Sequence, residues 1–350
     1  MIDSTLKITL KTFMMTKIEE IWQELESDTS LQSGLLYKRY SGKVVPDVYV
    51  ALKAPERLRC IAAHLSNSFE FDTRAWNKFR DIKIERLPDE KNKNKQFLVV
   101  MLLSNQHKDV FSTLCEDLIQ KIADVQEENS LVQELITRLE KWHLLFEKLG
   151  RQGLSDEAQR GLYGELFFLR RFLNKSTDAE YCINSWRGAE KAVQDFQYSN
   201  WAVETKTTSG KNQQKLQIAS ERQLDTSLVP KIYLTHLSLE VRENHGETLN
   251  DIVEELSDIL SQSPAALSVF KLKLLEAGYF SHHYDEYEET GYSIRQENIY
   301  RITDDFPRIT ENMIPAGVGD VRYSLIISAN ESWLIDEKQL FDQITGVSDD

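Results

Sequence analysis

The sequence predicts an α/β protein in three stretches: a β-rich region over residues 1–110, a helical connector over 111–150, and a mixed α/β domain over 151–350. Three observations carry this. Apolar runs of strand length dominate the first stretch, apolar residues at helical spacing fill the second, and the two periods alternate in the third. At 350 residues the chain is long enough for two domains, and 41% hydrophobic with 28% charged residues is ordinary for a globular protein.

In the first stretch, Val44–Leu52, Leu58–Ala63 and Phe97–Leu103 read as strands, and the polar run Pro88–Lys95 reads as a loop. From Val110 the pattern turns helical. Leu114, Leu118, Ile122 and Val125 form one stripe, and Leu131, Leu135, Leu139, Trp142, Phe146 and Leu149 form another. Gly150 and Gly153 then end the helical run. In the third stretch Ser155 is placed to cap a helix whose first turn holds Asp156 and Glu157. Short strands follow at Val193–Phe196 and Trp201–Thr208, joined by a turn at Tyr198–Asn200. Leu216–Ala219, Ile232–Leu239, Ile299–Ile302 and Val321–Ser328 read as further strands, and Leu249–Leu260 with Ala265–Glu276 as helices.

Several function classes drop out. No run of 18 apolar residues is present, so no membrane span is expected. Met1–Lys17 has no apolar h-region, and Cys60, Cys115 and Cys182 are scattered and odd in number. A reduced cytoplasm follows as the expected compartment, with neither a disulfide framework nor a zinc site. His282 and His283, ahead of Asp285, Glu286, Glu288 and Glu289, lack zinc-type spacing and read as a solvated loop. Gly317 and Gly319 lack the Gly-Lys-Ser/Thr ending of a phosphate loop and read as a turn.

One strand carries chemistry. In Trp201-Ala-Val-Glu-Thr-Lys-Thr-Thr208 the side chains of Glu204 and Lys206 share a face, opposite Val203 and Thr205. Alone, this is a surface ion pair as readily as a site, and Asp81–Lys83, Asp89–Lys91 and Asp336–Lys338 repeat the acid-x-Lys spacing. Asp195, nine residues upstream across a tight turn, sets the Glu204 triplet apart, because a hairpin brings the two acids together. Two adjacent carboxylates repel unless a cation sits between them, and Mg²⁺ suits oxygen ligands. Glu165 lies beside the apolar stripe Leu162, Leu166, Leu169, Leu173, about 40° from Leu169 on the helical wheel. Such a glutamate either reaches solvent or meets a partner. Trp186 and Phe196 flank this group and read chiefly as core.

Helical Glu, then Asp, then Glu-x-Lys on the next strand resembles the PD-(D/E)XK nuclease superfamily. The wider string is similar to a bacterial PD-(D/E)XK-motif family associated with restriction-modification and phage-defence loci. It includes Leu154-Ser155, Gly161–Leu166, Trp186, Gly188, Asp195-Phe196, Glu204-Thr-Lys206, Ile218 and Gln223-Leu224, then Leu275–Tyr279, Phe306-Pro-Arg308 and Ile314–Val318. Gln194 stands where many relatives have histidine, and no proline precedes Asp195. The resemblance implies a restriction-endonuclease-like fold for residues 151–350 and a Mg²⁺- or Mn²⁺-dependent phosphodiesterase acting on DNA. Asp195, Glu204, Glu165 and the Thr205 carbonyl would be metal ligands, and Lys206 would orient the attacking water. Gln223, Lys211, Lys215 and Arg222 are implied contacts to the site or to DNA. Operon-encoded methyltransferase and ATPase or helicase partners are implied too, and a homo-oligomer stays open.

The net charge of −14 opposes tight DNA binding by this chain alone. Locally, Lys206, Lys211, Lys215 and Arg222 face only Glu221 between residues 205 and 222, and Arg170, Arg171 and Lys175 end the Glu165 helix. A basic face beside the site is one reading of these residues and solvated charge the other. A non-catalytic DNA-binding or assembly subunit with the same fold, or a nuclease acting on RNA, fits the same residues.

Overall fold

The computed structural model describes residues 17–30, 32–69, 81–104, 107–146, 153–210 and 215–345. It divides into two compact units, one reaching to residue 152 and including 280–282, the other formed by the rest. Among the described residues no helix is long and apolar enough to cross a membrane.

The first unit holds helix α1 (Lys17–Ser27), strands β1 (Gly34–Arg39), β2 (Val48–Ala54), β3 (Leu58–Ser66), β4 (Ile82–Pro88) and β5 (Lys95–Leu102), and helices α2 (Lys108–Ile122) and α3 (Glu128–Phe146). The sheet runs β1-β2-β3-β5-β4 with every pairing antiparallel. The three apolar runs seen in the sequence are β2, β3 and β5, at the centre of the sheet, where strands are buried on both faces. The edge strands β1 and β4 escaped notice. In β4 only Ile82 and Ile84 are buried, and Lys83, Glu85 and Arg86 interrupt the apolar signal, as suits an edge. Helix α1, also unforeseen, buries the stripe Ile18, Ile21, Trp22 and Leu25. Gly150 lies outside the described residues.

The second unit begins with helix α4 (Asp156–Lys175), where Ser155 accepts from the Ala158 N–H as its sequence predicts. Helix α5 (Ala179–Ser185), strands β6 (Phe196–Tyr198), β7 (Trp201–Thr208), β8 (Lys215–Ile218), β9 (Lys231–Glu243) and β10 (Glu247–Thr248) follow. Helices α6 (Leu249–Leu260), α7 (Pro264–Ala277) and α8 (Tyr284–Glu288), strands β11 (Thr290–Ile302) and β12 (Tyr323–Ile326), and helix α9 (Glu337–Ile344) complete it. The main sheet has the order β10-β11-β9-β7-β6, and β8 pairs with β12 in a separate ribbon. Strand β9 runs parallel to β7 while all other pairings are antiparallel, so the sheet is mixed.

Alternation along β7 sorts side chains between two cores. Trp201 and Val203 join Leu166, Leu169 and Phe172 of α4 and Leu256 of α6. Ala202 joins Leu216, Ile218, Ile232, Leu234, Tyr300 and Leu325 on the other face. Both faces are covered, so a charged side chain on β7 is buried by default and must find partners within the protein.

Candidate active site

The site forms where β6 leaves β7. The hairpin pairs Tyr198 with Trp201 and Phe196 with Val203, so its connection is Ser199-Asn200. One step further the ladder ends. The Asp195 carbonyl accepts instead from the N–H groups of Arg187 (2.7 Å) and Gly188 (2.8 Å). The Asp195 side chain takes over the lost ladder contact, its Oδ2 accepting the Thr205 N–H at 2.7 Å. The fork therefore delivers Asp195 beside Glu204, as the nine-residue spacing suggested.

Glu204 is 1% exposed. Its Oε1 receives Lys206 Nζ at 2.6 Å and Gln223 Nε2 at 2.7 Å. Its Oε2 is buried with no hydrogen-bond partner among the described residues. Gln223 is held in turn by the Ala219 N–H, which donates to its Oε1 at 2.8 Å. Gln194 donates through Nε2 to the carbonyls of Arg222 and Gln223, both at 3.2 Å. It thus supports the loop that presents Gln223, and it adjoins Asp195 in sequence.

Glu165 arrives from α4. The helix crosses close to β7 at Gly164, where a Cβ would stand 2.4 Å from the Thr207 methyl and 3.4 Å from that of Thr205. A side chain at Gly164 would lift the helix and Glu165 with it. The Trp186 indole donates to Glu165 Oε2 at 2.7 Å. Trp186 is fully buried, as a core residue should be, yet it is also a polar contact of the site. Gly188 completes the wall: a Cβ there would lie 2.4 Å from Glu165 Oε2 and 3.0 Å from Asp195 Oδ1. The missing side chain leaves room at these two carboxylates. Neither periodicity nor spacing distinguishes Trp186 or Gly188 as site residues.

Three carboxylates and one ammonium share this region. Burial raises the pKa of Glu165 well above the ordinary glutamate range, and repulsion from Asp195 adds to the shift. Burial raises Asp195 too, opposed by Lys206 and the Thr205 N–H. Glu204 is pushed up to about 8 by burial and by Asp195, against the pull of Lys206. Burial works against the charge of Lys206, but Glu204 and Asp195 outweigh it and its pKa rises. The lysine is therefore a cationic donor here, and burial with mutual repulsion shifts the carboxylates toward their protonated forms, a shift that a second positive charge would oppose.

Among the described residues no three His, Cys, Asp or Glu side chains are gathered tightly enough to form a ready metal cage. The donor set nevertheless fits a hard divalent cation. It is all oxygen, it exceeds its one ammonium in charge, and it includes the orphaned Glu204 Oε2.

The peripheral candidates fare differently. Lys215 opens β8 and is exposed, and Arg222 is exposed and paired with Glu311 at 3.2 Å. Lys211 lies outside the described residues. Of the two readings for the end of α4, its arginines form neither a free basic face nor solvated charge. Arg170 pairs with Glu247 and Glu255, and Arg171 with Glu297 and Glu337. The other acid-x-Lys triplets are structural where a contact is visible: Asp89 bonds His64, and Asp336 caps α9. The three cysteines are free and buried. His283 is bonded to Glu286 at 2.7 Å.

No curated protein and no solved structure matches this chain. One family does, over residues 18–328, and its description is "Putative PD-(D/E)XK family member" (DUF4420). The order Glu165, Asp195, Glu204, Lys206 stands inside that match, and the chain belongs to this family.

Proposed function

We propose that the protein is a Mg²⁺- or Mn²⁺-dependent endonuclease that hydrolyses DNA phosphodiester bonds within a bacterial restriction-modification or phage-defence system. The observation that carries this reading is the meeting of Asp195, Glu204 and Lys206 at the β6–β7 fork with Glu165 alongside. Asp195, Glu204 and Glu165 would hold the metal ion, with the Thr205 carbonyl as a further ligand. Bound there, the ion would polarise a phosphoryl oxygen and lower the pKa of a water. Lys206, kept protonated by its neighbours, holds the attacking water or a phosphate oxygen and offsets the negative charge that grows during attack. Gln223 holds Glu204 in place. Lys211, Lys215 and Arg222 would contact the site or the flanking DNA.

A second reading has its own support. The net charge is −14, and Arg170 and Arg171 are both neutralised by glutamates. A non-catalytic subunit, brought to DNA by methyltransferase or ATPase partners in the cytoplasm, would carry that charge without penalty.

Plasmid cleavage in Mn²⁺ and in Mg²⁺ separates the two. The wild type should cut, and Glu204→Ala and Lys206→Ala should each lose about 10³-fold in rate, the scale expected for losing one charge-stabilising group. An inert wild type that stays inert when the partner proteins are added would sink the nuclease reading. RNA in the same assay decides between nucleic acids.

A further inference from the structure

Lys273 is a buried cation that the chemistry above does not use. It projects from α7, and its side chain is 5% exposed. Its ammonium donates to the Trp186 carbonyl and, at 2.8 Å, to Glu190 Oε1. The other Glu190 oxygen takes Arg187 Nη2 at 3.0 Å. These contacts fasten both ends of the Trp186–Glu190 turn. That turn does three things for the site. Its indole holds Glu165, its Arg187 and Gly188 N–H groups hold the Asp195 carbonyl, and its Gly188 leaves room at both carboxylates. It closes at Lys191 in the left-handed region, φ 59°, so its path is tightly defined.

We propose that Lys273 is a positioning residue: by anchoring the Trp186 carbonyl and Glu190 it sets the turn that aims Glu165 and Asp195 at the metal. A buried lysine is costly to keep, and removing it costs most where the partner left behind stays buried. Glu190, 35% exposed in its side chain, can be hydrated when the ammonium goes. Loss of the cation therefore falls chiefly on the Trp186 carbonyl, which has no substitute donor in an apolar replacement. The proposal rests on the metal-site reading, since it names what the turn is for.

The test uses the full chain with ¹⁵N-labelled tryptophan and reads the Trp186 indole N–H, identified by its loss in Trp186→Phe. Lys273→Met should move that resonance and weaken Mn²⁺ binding, measured by calorimetry, by roughly tenfold, the lower end of what outer-shell changes do. In the Trp186→Phe background Lys273→Met should add less than its full loss, because the part carried by the indole's hydrogen bond to Glu165 is already gone. Glu190→Gln keeps an acceptor for Lys273 and should move the indole signal less. If Lys273→Met does not fold, Glu190→Gln alone decides by that signal. An indole resonance unmoved in the folded variants, or additive losses in the double mutant, overturns the proposal. A wild type that binds no Mn²⁺ sinks the metal reading instead, while the indole resonance still reports whether Lys273 governs Trp186.

Discussion

Two glutamates on strands, each bonded to lysine, behave in opposite ways in the two units. Glu85 of β4 is gripped by Lys53 at 2.5 Å and Lys83 at 2.7 Å. Burial would raise its pKa, but those two lysines outweigh burial and hold the carboxyl below its ordinary range. Glu204 of β7 has one lysine and shares it with Asp195 and Glu165, and it is pushed up to about 8. The residue types and the β scaffold are the same in both places. What differs is burial, complete at Glu204 and partial at Glu85, and the count of charges, one acid to two ammoniums against three acids to one. The first arrangement is complete as a structural ion pair. The second gains stability from any further cation, which is the physical condition for a metal site.

The largest expected effect comes from removing the shared lysine. Lys206→Met leaves three carboxylates with no ammonium, and without metal at pH 8 it should lower unfolding free energy by about 3 kcal/mol, the scale of stripping one partner from a buried pair. Mn²⁺ should restore most of the loss. Lys53→Met leaves Glu85 with Lys83 and solvent, and should cost within about 1 kcal/mol, with no response to Mn²⁺. Urea titrations in EDTA and in Mn²⁺ measure both. Equal losses in the two variants would erase the contrast.

The next effect is a difference in sign. Glu204 keeps its proton in the folded chain up to about pH 8 and loses it near the ordinary 4.5 when unfolded. Between those values the folded state binds more protons, so stability in EDTA falls as pH rises. Each such proton gives about 1.4 kcal/mol per pH unit. Glu85 is depressed, so its contribution is present above its unfolded pKa and is lost as pH falls through the folded one. Glu204→Gln should flatten the fall between pH 5 and 8 and leave the acid limb alone. Glu85→Gln should weaken the acid limb only. Thermal melts across pH in EDTA decide this, and a wild-type curve that rises from pH 5 to 8 would contradict the assigned charges.

How much of this was legible in the sequence follows from which signals are local. Central strands are continuous apolar runs and long helices repeat apolar residues at helical spacing, so β2, β3, β5, α4, α6 and α7 stood out. Edge strand β4 and the short helices α5 and α9 carry few buried residues, and their patterns are correspondingly faint. Within the site, Asp195, Glu204 and Lys206 were legible because a two-residue turn makes their neighbourhood a matter of spacing. Glu165 was legible as a glutamate beside an apolar stripe. Trp186, Gly188 and Lys273 were not. They reach the site through a turn and a helix far along the chain, and a tryptophan, a glycine or a helical lysine has an ordinary structural meaning in isolation. The pairing of the α4 arginines was hidden for the same reason, since Glu247, Glu255, Glu297 and Glu337 come from distant elements.

The smallest effect compares two amides. In the first unit Gln96 donates to two neutral acceptors, the carbonyls of Ser66 (2.9 Å) and Phe69 (2.7 Å). In the second, Gln223 joins the Ala219 N–H to Glu204 Oε1, sharing that oxygen with Lys206 and leaving Oε2 unbonded. Replacing either amide by leucine removes hydrogen bonds and should cost about 1 kcal/mol of stability. Only Gln223→Leu should also change metal binding. Glu204 then loses one of the two donors that fix its orientation, and Mn²⁺ affinity should fall roughly fivefold, below the loss typical of an outer-shell partner. Gln194→Leu, which frees the loop carrying Gln223, should reproduce that loss in part. Calorimetric Mn²⁺ titrations of the three variants test the ranking. If Gln96→Leu weakened Mn²⁺ binding as much as Gln223→Leu, the effect would belong to general loosening of the chain. If it did not, a neutral amide would have acquired its part in the site solely from the carboxylate at its end.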